Sequence, residues 1–135
     1  MKKIIAFFSI LFVLISCTPE SSNPKVRFEL LPIESVVLPT SFNVNEVNEI
    51  EVNFLRPTTC HGFDGFLYEK DGLTRTIAVQ SFVSEQNNCE ALTNQIVTQK
   101  LNFKPIQTGT YLLKFFKGTN ANGSLIFEEV SVDVQ

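Results

Sequence analysis

Between residues 48 and 56 the chain alternates without a break: Ile50, Val52 and Phe54 hold one parity, and Glu49, Glu51 and Asn53 hold the other. A repeat of two sends successive side chains to opposite faces of an extended backbone, so this stretch is a strand with one apolar and one wet face. Such strands form a sheet that must bury its apolar side against a second layer. The same period recurs at Val26, Phe28 and Leu30, at Val97, Leu101 and Phe103, and at Tyr111, Leu113 and Phe115. No stretch carries the 3.6-residue period over three helical turns. The chain therefore reads as all-β, an antiparallel β-sandwich of seven to eight strands rather than a barrel.

Turn residues punctuate the strands. Pro32 splits the first extended piece in two, which suits an edge position where a missing donor does no harm. Residues 57–62 form a loop carrying Cys60, and residues 84–94 form a polar loop carrying Cys89. Asp71-Gly72 separates strands at 63–70 and 74–83 and predicts a hairpin with a type I′ turn. Residues 117–124 make a hairpin tip before a last strand at 125–134. There Val130, Val132 and Val134 share one face, while Leu125 and Phe127 take the other parity, which predicts a bulge near Phe127. Of the adjacent Phe115 and Phe116, one must point outward, either into an apolar patch that marks a partner surface or beneath the first strand.

The amino terminus follows a different rule. Lys2 and Lys3 precede an apolar run at 4–15, too short to span a membrane comfortably as a helix. It ends in Leu14-Ile15-Ser16-Cys17, which resembles the Leu-X-small-Cys lipobox of bacterial lipoproteins. The resemblance implies a signal peptide at 1–16 that is removed, a lipidated Cys17, and a chain held on its membrane by acyl groups. Residues 17–24, polar and twice interrupted by proline, would be the tether to a single domain at 25–135. Thr18 stands where an inner-membrane lipoprotein of enterobacteria carries Asp, so the outer membrane is favoured. Glu20 is the only acidic residue close behind the cysteine, and the face of the membrane stays open.

Without the leader, nine basic residues stand against fourteen acidic ones, a net charge of −5. A phosphate-binding surface needs the opposite balance, which excludes nucleic acid as an expected partner. With Cys17 committed to lipid, Cys60 and Cys89 remain as an even pair in an oxidising compartment and predict a disulfide. A Cys60-His61-Cys89 metal site is the competing reading, weakened by adjacent ligands and by the lack of a third sulfur. No metal or other cofactor is expected, and His61 is kept as the weak candidate ligand.

Residues 105–111 (Pro-Ile-Gln-Thr-Gly-Thr-Tyr) resemble the corner before strand F of immunoglobulin-like domains, where a Gly-X-Tyr sequence places a tyrosine that bonds back to upstream backbone. The resemblance implies an immunoglobulin-like sandwich with Tyr111 as its structural corner. Leu113 replaces the cysteine of antibody domains, and the chain has no tryptophan. Taken together, the anchor and the sandwich resemble a small cell-envelope lipoprotein of the Bacteroidetes kind.

Catalytic chemistry finds little to build on. His61 is the single histidine, Asp64 stands close by in sequence, and Gly-X-Ser-X-Gly is absent, so no serine triad can be assembled. Asn120, Asn122, Gly123 and Glu129 match four positions of a calcium loop, but Gly118 occupies the first and the flanks are strands. An Asn-Gly hairpin explains them better. Asn122-Gly123-Ser124 also matches a glycosylation sequon, which would carry little weight if the source is a bacterium. The expectation is a non-enzyme, a membrane-anchored envelope module that binds another envelope protein. The alternative is a small-ligand lipoprotein for a metal ion or a glycan, the glycan disfavoured by the missing tryptophan.

Overall fold

The computed structural model describes residues 25–135. The leader, Cys17 and the tether lie outside the described residues. Eight strands follow in order: β1 (Val26–Leu31), β2 (Ile33–Val37), β3 (Asn48–Leu55), β4 (His61–Asp71), β5 (Thr74–Ser84), β6 (Ile96–Phe103), β7 (Gly109–Thr119) and β8 (Leu125–Val134). Among the described residues no helix is long and apolar enough to cross a membrane.

The alternating β3 is the middle of a three-stranded sheet, β2-β3-β6, antiparallel throughout. Its Ile50, Val52 and Phe54 are buried and face Leu101, Gln99 and Val97 across the ladder. The other five strands form the second sheet, in which β5 is central. Its Ile77 and Val79 join Phe115, Leu113 and Tyr111 in the shared core. Each such side chain stabilises the fold by roughly 1.5–3 kcal/mol through burial. Aromatic rings interlock at one end, where Phe103 meets Phe42 and Tyr111 edge-on at 5.7 and 5.3 Å.

Pro32 is the point where the chain changes sheets. β1 pairs with β5, β2 pairs with β3, and each is an edge with no ladder bond for Pro32 to miss. The register also reverses an expectation about β1. Leu31, Glu29 and Arg27 stand opposite Val79, Ser81 and Val83 on the inner face, so Val26, Phe28 and Leu30 point outward.

The sandwich is not wholly antiparallel: β5 and β7 run parallel from the Thr74↔Leu112 pair to Ile77↔Phe115. The hairpin β4-β5 lies with its returning strand inward, and that strand runs the same way as β7. Composition explains the choice. β5 buries Ile77, Ala78 and Val79 consecutively, as a strand covered on both faces does. β4 ends in exposed Glu69, Lys70 and Asp71 and carries an irregularity between Phe63 and Gly65, features of an outer strand.

Two turn details differ from expectation. Asp71 pairs with Thr74, so the two-residue hairpin loop is Gly72-Leu73 rather than Asp71-Gly72. Only Gly72 has positive φ, at 53°, which is the type II′ pattern with glycine first. The bulge expected near Phe127 lies across from it, with Lys117 as the extra residue between Phe116↔Phe127 and Gly118↔Ile126. Phe115 and Phe116 are both buried, and Phe116 packs against Phe127 at 6.0 Å.

At the corner, Gly109 has φ 135°, and Tyr111 donates its hydroxyl to the Gln107 carbonyl at 3.2 Å. A side chain at 109 would be strained there, which accounts for the glycine two residues before the tyrosine. Buried Arg75 lies 4.9 Å from the Tyr111 ring and donates to the Gly72 and Thr74 carbonyls at 2.8 Å. Burial pushes the nearby Tyr68 hydroxyl above its usual range, with the Arg75 charge opposing.

Candidate functional site

The loop between β3 and β4 and the loop between β5 and β6 are zipped together. Arg56 N–H donates to Gln95 O, Leu92 N–H to Pro57 O and Thr59 N–H to Glu90 O, each at 2.9 Å. Cys60 and Cys89 close the zipper as a disulfide, with their Cα atoms 5.4 Å apart. The predicted bridge therefore joins two loops that backbone hydrogen bonds already align. A 29-residue separation makes the cross-link worth about 3–4 kcal/mol in the chain-entropy model.

β4 begins directly at His61, which the zipper carries into the interior, leaving it 6% exposed. Its Nε2 lies 2.5 Å from Glu29 Oε1, and its Nδ1 lies 2.7 Å from Thr58 Oγ1. Thr58 Oγ1 also accepts the Cys60 N–H at 3.2 Å. Arg27 Nη1 donates to the other carboxylate oxygen, Oε2, at 2.5 Å. Burial raises the Glu29 pKa, but hydrogen bonds from Arg27 and His61 and the charges behind them outweigh it. The carboxyl is held below the usual range. Arg56 completes the cluster by donating from Nε to His61 O at 2.7 Å and from Nη2 to Thr59 O at 2.6 Å.

Two clefts flank this cluster and share Arg56, His61 and Gly62. One, of about 260 Å³, opens between the sheets against Leu31, Phe54, Phe63 and Val97. The other, of about 390 Å³, lies beside the disulfide against Thr59, Phe82, Ser84, Gln86 and Asn88. The Phe82 ring lies on Gly62, its cross-strand partner, at the place where a Cβ would stand. Glycine at 62 thus seats an aromatic ring at the rim of the second cleft.

Glu29, His61 and Thr58 line up as acid, imidazole and hydroxyl, the order that activates a nucleophile in hydrolases. Thr58 Oγ1, however, takes the Cys60 N–H, and Thr58 lines neither cleft. The hydroxyl faces no space for a substrate carbonyl, so the chain of hydrogen bonds ties β1 to the loop. Metal ligation by Cys60, His61 and Cys89 meets the same kind of obstacle. Both sulfurs are spent in the disulfide and both ring nitrogens are hydrogen-bonded. Among the described residues no group of three or more metal-ligating side chains is assembled.

Other candidates from the sequence are dispersed. Asp64 Oδ2 accepts from Gln80 at 2.7 Å, away from His61. Asn120 Oδ1 accepts the N–H groups of Asn122 and Ser124 within its own turn, while Glu129 pairs with Lys114 at 3.1 Å. Glu29, Arg27, Thr58 and Arg56 escaped the sequence reading. The available signal was the charged parity of β1, where Glu29 turns toward a buried partner once Val26, Phe28 and Leu30 point outward. Comparison with protein-family models, with curated proteins and with solved structures returned no match.

Proposed function

We propose that this chain is a lipid-anchored protein of a bacterial cell envelope whose β-domain is a non-catalytic binding module. The lipobox-like Leu14-Ile15-Ser16-Cys17 supports the anchor, with the outer membrane as its place. An immunoglobulin-like origin for the sandwich is supported by the Tyr111 corner bond to Gln107. In the immunoglobulin order the strand after B lies beside F; here its hairpin partner takes that place, which makes this a variant of the plan.

The observation that carries the binding role is the pair of clefts at the disulfide-braced end. Their shared wall is fixed by bonds from Arg56 and His61 that are spent on structure, which leaves a rigid, shaped surface without an activated group. Rigid rims reduce the ordering cost of association, so this end is the surface for an envelope protein partner. A photo-cross-linking residue at Asn88, in intact cells of the protein's source, tests this against the same residue at Ile106, beyond the other end of β6. A discrete adduct from position 88 that disappears in Cys17→Ser supports the reading; equal or absent adducts at both positions reject it.

The small-ligand alternative has less behind it. The cleft between the sheets, about 260 Å³, falls short of the roughly 300–1,000 Å³ usual for such sites, and the cleft beside the disulfide, about 390 Å³, reaches that size but is walled mostly by polar groups such as Thr59, Ser84, Gln86 and Asn88 rather than by the apolar lining such sites use. A glycan would want an open aromatic ring, and Tyr111 is buried under Arg75. Native mass spectrometry with and without chelator checks the metal branch, and a retained mass adduct would revive it.

A further inference from the structure

The outward parity of β1 leaves apolar side chains in water where an inward parity would have hidden them. Val26, Phe28 and Leu30 are 47%, 61% and 41% exposed, and Phe82, directly opposite Phe28, is 37% exposed. The four lie on one outer face of the five-stranded sheet. A contiguous apolar patch on a solvent face marks a surface that is covered in use.

Its position in the chain says what covers it. Eight residues, 18–25, separate Cys17 from Val26, and an extended chain spans at most about 3.6 Å per residue, so roughly 30 Å. An acyl-anchored Cys17 therefore keeps the start of β1 within about 30 Å of the surface, and exposed Lys25 sits at the anchor end, suited to anionic headgroups. We infer that the outer face of β1, through Val26, Phe28 and Leu30, docks on the bilayer surface and lays the domain against the membrane, leaving Phe82 to the cleft beside the disulfide. This rests on the anchoring reading above and adds an orientation to it: the disulfide end is presented at a fixed angle instead of on a free tether.

The absence of tryptophan makes the test direct. Phe28→Trp and, on the other sheet, Val37→Trp each place a single reporter at an exposed position. The chain from Cys17 onward is coupled through the Cys17 thiol, the one cysteine outside the disulfide, to a maleimide phospholipid in vesicles with brominated acyl chains. A ring held about 5–10 Å into the headgroup and acyl boundary shifts to the blue and loses more than about half its emission. That outcome is expected for position 28, with position 37 unchanged. Equal quenching at both positions, or at neither, overturns the docking. So does a blue shift at position 28 that grows with protein concentration without vesicles, because the patch then belongs to a second copy. Anchoring is checked separately by fatty-acid labelling of the full chain in its source: label lost in Cys17→Ser upholds it, and no label overturns it without touching the vesicle result.

Discussion

β1 and β3 have the same sequence grammar and opposite outcomes. Both alternate apolar and polar residues, yet β3 buries Ile50, Val52 and Phe54, whereas β1 exposes Val26, Phe28 and Leu30 and turns Glu29 toward buried His61. The difference lies in their neighbours. β3 is flanked on both sides, and its apolar face meets Leu101 and Val97 and, across the sandwich, the rings of the other sheet. β1 has one ladder partner and lies where the interior already holds His61, whose Nε2 an apolar inner face would leave unsatisfied. A periodic pattern identifies a strand and its two faces; the lining of the slot decides which face goes in.

The largest expected contrast comes from truncating one phenylalanine in each strand. Phe54→Ala should lose about 3–5 kcal/mol in urea unfolding, through lost transfer energy and the cavity left behind. Phe28→Ala should stay within about 0.5 kcal/mol of the parent in water. Equal losses would mean that β1 is packed inward after all. Next, replacing both Cys60 and Cys89 by serine should cost about 2–4 kcal/mol and loosen the zipper, read as faster amide exchange at Thr59 and Leu92.

Severing β1 from its slot should cost less. His61→Leu leaves Glu29 and Thr58 without their shared partner, for a loss of about 1–3 kcal/mol. Acid should act on the same contact. The Glu29 pKa is lowered on folding, so its contribution is complete above the ordinary value of 4.5 and disappears as pH falls through the lower folded value. Glu29→Gln should flatten stability below about pH 4.5 relative to the parent, measured by urea midpoints across that range. A parent and variant with the same acid slope would remove Glu29 from the account. Smallest of all, Gly109→Ala at φ 135° should cost about 1 kcal/mol or somewhat more by straining the corner, without altering either cleft.

Much of the fold was legible in the sequence. The strand at 48–56, the hairpin around Gly72, the glycine and tyrosine of the corner and the pairing of Cys60 with Cys89 each follow from a local rule. The parallel contact of β5 with β7 could not be read that way, because hairpin residues specify the pairing of β4 with β5 and say nothing of which strand lies inward. The run Ile77-Ala78-Val79 was the available hint. The site was legible only in part: His61 and the cysteines stood out by type, whereas Glu29 and Thr58 are ordinary residues that matter through what they touch.

The sequence by itself determined the local chemistry: period-two strands, turns where glycine and proline demand them, a disulfide pair, and an amino-terminal motif that reads as an address. The strands, turns and motif depend on residues a few positions apart, where backbone sterics and hydrophobic alternation suffice, while the disulfide, 29 residues apart, follows from residue type and count. Only the tertiary structure decided the direction β1 faces, the partner of His61 and the apolar patch on the outer face of β1. Each of those depends on residues far apart along the chain, such as Phe28 with Phe82 and Glu29 with His61. Such contacts are chosen by competition for a shared interior, and no single segment encodes that competition.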